Sequence, residues 1–324
     1  MTLKKLEDIT KIEELIEFIK RFYPGLTVDT FTIEEIERLL FHTYIKLIGR
    51  ITVNSPRTMR LFLRNYLMKY EIMNIKNVIL GTILGMDIKE KSKMVNKLVE
   101  KYLNNTDFIN GLLEITSLDQ IQLYLKNTIY NKAVREGILY FRNTNEIFVL
   151  EAFLDRLYYK VLGDIVKFLS PKEKIMISVY VKYKSEIYNL NIIYRGIKNN
   201  VDRNLLSQFL ISNFIFLNQE ILNHLLSLTN IDEFITLLSE FLTKKKEIRI
   251  NIIRFPLKGE HLIWEIERLY LDYFFKKFHI KIDDIEYQSI FRIMEILIRK
   301  ENEIKIHVLP KVVEIIHEKY KVLS

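Results

Sequence analysis

Apolar residues along this chain recur at steps of three and four. Residues 150–169 show it best: Leu150, Phe153, Leu154, Leu157, Val161, Ile165 and Phe168 share one stripe, the mark of a helix that buries one face. In KYEIMNIKNVIL, Ile72, Ile75, Val78 and Ile79 form a second stripe, roughly 120° wide at about 100° per residue. Ser-Pro at 55–56 and at 170–171 reads as a capping residue ahead of a proline in the first helical position, so each pair predicts a helix start. No run alternates with the period of a strand. The pattern predicts an all-α chain.

The pattern also repeats. KYEIMNIKNV at 69–78 returns 115 positions later as KSEIYNLNII at 184–193. Laid on 154–196 without a gap, residues 39–81 pair Lys69 with Lys184, Glu71 with Glu186, Asn74 with Asn189 and Gly81 with Gly196. A third copy is weaker: IERL at 36–39 returns at 266–269, and Glu303-Ile304 resembles Glu71-Ile72 after a two-residue insertion. Upstream of the three blocks stand ITKIEELI, ITSLDQIQ and LTNIDEFI. In each, Thr10, Thr116 or Thr229 occupies an expected N-cap, with Glu13, Asp119 or Asp232 three residues on, an acidic capping box. Three helical repeats are expected, over 1–105, 106–220 and 221–324.

Glu71 lies about 40° from Ile75 and about 20° from Val78, on the margin of the apolar stripe. Asn74 is its neighbour one turn on and is placed to donate to it. A carboxylate at the edge of a core costs free energy unless it is paired. Glu71, Asn74, Glu186, Asn189 and Glu303 are therefore the candidate residues, read as joints between helices, with direct contact to a partner as the alternative.

Composition agrees with long helices: 324 residues contain nine Gly and five Pro. The absence of Cys excludes a disulfide framework, a thiolate nucleophile and a zinc knuckle. The N-terminal stretch has no apolar run after its charges, and the most apolar region, 205–228, is interrupted by Gln, Asn, Glu and His. A soluble, intracellular chain is expected. The charge of +8 is interleaved with acidic residues, which reads as solvated helix faces and not as a nucleic-acid footprint. Glu314-x-x-His317 is one half of a di-iron motif whose other half is missing, Glu220 and His224 lack a third ligand, and no Gly-rich phosphate loop exists. Gly81-x-x-x-Gly85 reads as a helix-end turn. No enzymatic activity, metal, cofactor or small-molecule substrate is expected.

Taken together, EAFLDRLYYKVL at 151–162, KSEIYNLNIIYRGI at 184–197, KYEIMNIKNVILG at 69–81 and TSLDQIQLYLKNTIYNKAV at 116–134 resemble the C subunit of the archaeal A-type and bacterial V/A-type rotary ATPases, equivalent to the d subunit of eukaryotic V-type ATPases. The resemblance implies three similar helical lobes around a pseudo-threefold axis, forming a funnel. It implies a non-catalytic central-stalk rotor component on the cytoplasmic face of the cell membrane, peripheral to it. The implied partners are the central-shaft subunits (D/F type) and the membrane proteolipid ring, and the implied role is torque transmission in proton- or sodium-linked ATP synthesis or hydrolysis. With only eight residues before Ile9, the family's leading aromatic-rich helix is expected to be lacking. In the third copy Ile306 stands where Asn74 and Asn189 would align. The alternative reading is a helical-repeat scaffold that binds other proteins or nucleic acid.

Overall fold

The computed structural model describes residues 3–254, 257, 262–279 and 284–323, and these form helices and turns with no strand. Three times a helix of about twenty residues leads into a second long one. Ile33–Val53 precedes Arg57–Ile83, Ile147–Ile165 precedes Pro171–Lys198, and Leu262–His279 precedes Ile285–Asn302. The first members start at 33, 147 and 262 and the second at 57, 171 and 285, so successive starts are 114 or 115 residues apart. The chain divides into two compact units, Met1–Thr116 with Arg292–Ser324, and Ser117–Phe291.

The first two of the long second helices are buried on more than one face. On Arg57–Ile83, Phe62, Leu63, Tyr66, Leu67, Tyr70, Ile72, Ile75, Val78 and Ile79 are all at most 2% exposed. A helix that is apolar around most of its circumference is a core element. Each large apolar side chain so covered contributes about 1.5–3 kcal/mol relative to exposure. Glu71 and Asn74 therefore sit inside the core of the first unit, not on its margin.

Both of the first two long helices end in one device. Gly85 (φ 70°) and Asn200 (φ 52°) adopt the left-handed conformation just past the helix. The next residue bonds back across the turn, Met86 N–H to Gly81 O at 2.8 Å and Val201 N–H to Gly196 O at 2.9 Å. Gly85 N–H to Thr82 O and Asn200 N–H to Ile197 O, both 3.2 Å, complete a Schellman motif in each copy. A short helix follows in register, Ile88–Met94 and Arg203–Phe209, capped by Asp87 and Asp202. The helix-end turn expected at Gly81-x-x-x-Gly85 is thus present, and it recurs where the second copy carries Asn in place of Gly.

Four local expectations need correction. The N-caps expected at Thr10, Thr116 and Thr229 lie one residue downstream, at Lys11, Ser117 and Asn230. Ser117 accepts from Gln120 N–H and Asn230 from Asp232 and Glu233 N–H. Ser and Asn outrank Thr as caps, so at 117 and 230 the neighbouring side chain takes the place, whereas Lys11 makes no side-chain cap bond. Ser170 caps its helix with a full capping box through Glu173, whereas Ser55 bonds Ile51 O and leaves Pro56 as the cap. The difference is the reciprocating carboxylate, because Thr58 stands where Glu173 would. Phe168 is 65% exposed because the helix ends at Ile165 and tightens to a 3₁₀ turn over Val166–Phe168, which breaks the stripe's phase. Finally, Asn74 directs its amide to Asn96 and Glu100, and not to Glu71.

Candidate functional site: repeated buried joints

The second unit holds the simpler joint. Glu186, fully buried on the helix Pro171–Lys198, accepts from three consecutive backbone N–H groups with one oxygen: Ile215 at 2.8 Å, Phe216 at 3.1 Å and Leu217 at 3.0 Å. Its other oxygen accepts from the Tyr270 hydroxyl. Burial pushes the Glu186 carboxyl up, and the tyrosine and backbone donors pull it back. Burial and the Glu186 charge hold Tyr270 well above its ordinary value, so it stays a donor. One turn on, Asn189 donates to Ile211 O and accepts from Ile211 N–H, both at 2.8 Å. A single side-chain amide thus pairs with both main-chain groups of one loop residue, as a neighbouring strand would. Lys184 pairs with Glu267 in the same unit, both nearly covered.

The first unit repeats the clip 115 residues earlier. Asn74 donates to Asn96 O at 3.1 Å and accepts from Asn96 N–H at 2.8 Å. Residue 96 is to 74 as 211 is to 189. The carboxylate is satisfied differently: residues 98–103 are helical here, and Leu98, Val99 and Lys101 N–H bond Asn96 Oδ1, Asn96 O and Lys97 O. Glu100, with no exposed surface, bonds Asn74 Nδ2 at 2.9 Å and shares a hydrogen bond with Glu71. Asn105 donates to Glu71 at 3.1 Å. Burial and the Glu71 charge push the Glu100 carboxyl up to about 8. Near neutral pH it is a carboxylic acid and donates to Glu71, taking the role that backbone N–H groups play for Glu186.

Glu303 is half-buried at the start of a π-helical stretch, Glu303–Val308, and accepts from Tyr23 at 3.0 Å and Lys300 at 3.1 Å. The fully buried carboxylate of this segment is Glu301, which stands at twice the 115-residue shift from Glu71 without any insertion. Tyr66 donates to it at 2.7 Å and Lys305 at 2.6 Å, and Lys69 closes a third contact. Ile304 occupies the clip position, so this copy has a carboxylate joint and no asparagine clip.

Glu100, Tyr270 and Glu301 are joint residues that the sequence reading misses. The 115-residue comparison carried beyond residue 81 pairs Asp87 with Asp202, and the same shift doubled without a gap reaches Glu301. These buried carboxylates all meet hydrogen-bond donors, an arrangement suited to holding helices and not to moving protons on a substrate. Among the described residues, no group of three or more His, Asp or Glu is placed to hold a metal ion, and no helix is long and apolar enough to cross a membrane.

Comparison with known proteins agrees with this picture. The chain is similar to the A-type ATP synthase C subunit of Pyrococcus furiosus, 24% identical over 208 residues covering 64% of this chain and 53% of the relative. It is similar to that of Methanothermobacter thermautotrophicus, 27% identical over 199 residues covering 60% and 49%. With that of Methanocaldococcus jannaschii it shares 26% identity over 223 residues, covering 63% and 54%. The chain spans about half the length of the curated relatives it matches. A sequence model of the ATP synthase (C/AC39) subunit matches residues 2–306, and this chain, with helices and no strand among its described residues and built on repeated structural joints, belongs to that family of structural, non-catalytic subunits.

Proposed function

We propose that this chain is the central-stalk coupling component of an A-type ATP synthase, linking the shaft subunits (D/F type) to the membrane proteolipid ring and transmitting torque between them. It works at the cytoplasmic face of the cell membrane, peripherally. The three helix pairs are proposed to form three similar lobes around a pseudo-threefold axis, corresponding to the repeats 1–105, 106–220 and 221–324.

The observation that carries this reading is the family match over residues 2–306. The joints support it mechanically. A part that transmits torque must not yield, and helices locked by buried, multiply bonded carboxylates and asparagines in a close-packed interior resist shear. Glu71, Asn74, Glu186 and Asn189 are assigned to internal stiffness, so the contacts with shaft and ring belong to other residues. The test is co-elution of the purified chain with the shaft subunits of its own synthase in gel filtration. A complex is expected, and persistent separation at micromolar concentrations overturns the assignment.

A further inference from the structure

The densest run of positive charge in the chain joins two helices of the second unit. Lys244, Lys245 and Lys246 follow the helix Ile231–Thr243, and Arg249 opens the next one, Arg249–Arg254. The winding is continuous from Lys245: Arg249 N–H bonds Lys245 O at 2.9 Å, and Ile252 N–H bonds Ile248 O at 3.3 Å. At about 100° per residue, Ile248 and Ile252 share the inner side, where both are buried. Lys246, Arg249, Ile250 and Ile253 share the outer side, and all four are exposed. Ile250 is 62% and Ile253 60% exposed. The side that a surface helix normally gives to polar residues thus carries two aliphatic side chains beside two cations. Lys245 turns back over the Phe241 ring at 4.3 Å, whereas Lys244, Lys246 and Arg249 form no ion pair among the described residues. Glu247 is the one acidic residue in the stretch.

We propose that this outer side rests on the surface of a bilayer that contains anionic lipid. Lys244, Lys246 and Arg249 meet the headgroup phosphates, and Ile250 and Ile253 reach the boundary with the acyl chains. The charge is complementary to such a surface, and the long lysine stems let the ammonium groups stay at headgroup level while the isoleucines go deeper. Composition argues against other occupants. Single-stranded nucleic acid is held by cations together with aromatic platforms, and the apolar side chains here are aliphatic. The core of a protein interface is depleted of Lys and enriched in aromatic residues, the reverse of this stretch. Burial of a few apolar side chains combined with attraction to anionic lipid is how an interfacial segment binds. The inference rests on the peripheral membrane placement proposed above and names the face that makes the contact.

The test mixes the full chain with vesicles of phosphatidylcholine holding about a third phosphatidylglycerol, and with phosphatidylcholine alone, and reads binding by co-sedimentation at low and high salt. Binding to the anionic vesicles, weakened by salt, is expected, with little to the neutral ones. Lys246→Glu with Arg249→Glu is expected to lower the affinity roughly tenfold or more. Lys126→Glu with Lys174→Glu, two exposed lysines elsewhere, makes the same change in net charge and is expected to lower it less than about twofold. Ile250→Ser with Ile253→Ser keeps every charge and is expected to lower it about fivefold or more. Because the chain has no Cys, an environment-sensitive fluorophore on Ile253→Cys reports depth: a blue shift is expected on anionic vesicles, and none from Ile175→Cys, which starts from a similar exposure. No binding at low salt, equal binding to neutral vesicles, equal loss in the two charge-reversed pairs, or tighter binding to soluble polyglutamate or a single-stranded oligonucleotide than to vesicles overturns the proposal. Should the serine pair fail to fold, the fluorophore comparison decides. The vesicles contain neither shaft nor ring, so this result and the co-elution result fail separately.

Discussion

Asn189 stands to Ile211 as Asn74 stands to Asn96: in both, one amide accepts the N–H and donates to the C=O of a single residue 22 positions further on. The sequence identity that survives between the copies is therefore not residual. At Asn74 and Asn189 it marks a side chain that both donates and accepts, which an Asp of the same size cannot do as a carboxylate.

Truncating the clip should be costly. Asn189→Ala removes both partners of Ile211 and leaves its N–H and C=O partly covered. The loss is expected to be about 2–3 kcal/mol, since each orphaned polar group costs roughly 1–3 kcal/mol when buried. Asn74→Ala is expected to cost as much or more, because Glu100 loses a donor as well. Urea unfolding midpoints of the two variants measure this, and a change under about 0.5 kcal/mol in either (on the ~1 kcal/mol scale of a single hydrogen bond) would contradict it.

The helix starts give a second measurement. Ser117→Ala and Asn230→Ala should each lose about 1 kcal/mol, the usual worth of an N-cap. Thr229→Ala should lose much less, because the capping oxygen belongs to its neighbour. Thermal unfolding of the pair at 229 and 230 separates the two assignments directly.

How much of this is legible in the sequence follows from what each feature depends on. The helical period, the 115-residue repeat and the places of Glu71 and Asn74 within it are readable because spacing alone sets them, whereas the expected bond between those two is replaced by bonds to Asn96, Glu100 and Asn105. The caps fall one residue from their expected places because Thr-Ser and Thr-Asn offer two adjacent capping oxygens, and only the backbone conformation chooses between them. Partners are not readable. Glu186 meets Tyr270, 84 residues on, and Glu301 meets Tyr66, 235 residues back, and no local pattern encodes such distances. Glu303 is singled out by its Glu-Ile dipeptide, whereas the doubled shift lands on Glu301. The π-helical stretch over 303–308 widens the turn where an inserted residue would need room, which obscures the register there.

The two best-provided carboxylates should behave differently from a surface pair. Glu186→Gln places an amide NH₂ among three backbone N–H groups and a tyrosine hydroxyl that all point at oxygen. Glu301→Gln removes the buried carboxylate charge that Lys69 and Lys305 share. Each is expected to destabilise by about 3–5 kcal/mol, as breaking one side of a buried charged network does. Lys167→Ala, which breaks an exposed pair with Asp164, is expected to change stability by less than about 1 kcal/mol. Differential scanning calorimetry of the three variants gives the ranking.

The first joint predicts a pH dependence. Glu100 is held as an acid, with its carboxyl pushed up to about 8 by burial and by Glu71, against an ordinary value of 4.5. The folded chain therefore retains a proton that the unfolded chain releases as pH rises through 4.5. Stability drawn from this group is complete below that point, declines as pH rises, and is lost by about pH 8, at up to about 1.36 kcal/mol per pH unit. Glu100→Gln keeps a donor for Glu71 and carries no proton to lose. The variant and the native chain should have similar stability near pH 4, and the variant should gain progressively, reaching an advantage on the order of 5 kcal/mol by about pH 9. Urea midpoints taken from about pH 4 to about pH 9 test it. Parallel curves for the two proteins would show that Glu100 ionises normally and that Glu71 draws its donor from elsewhere.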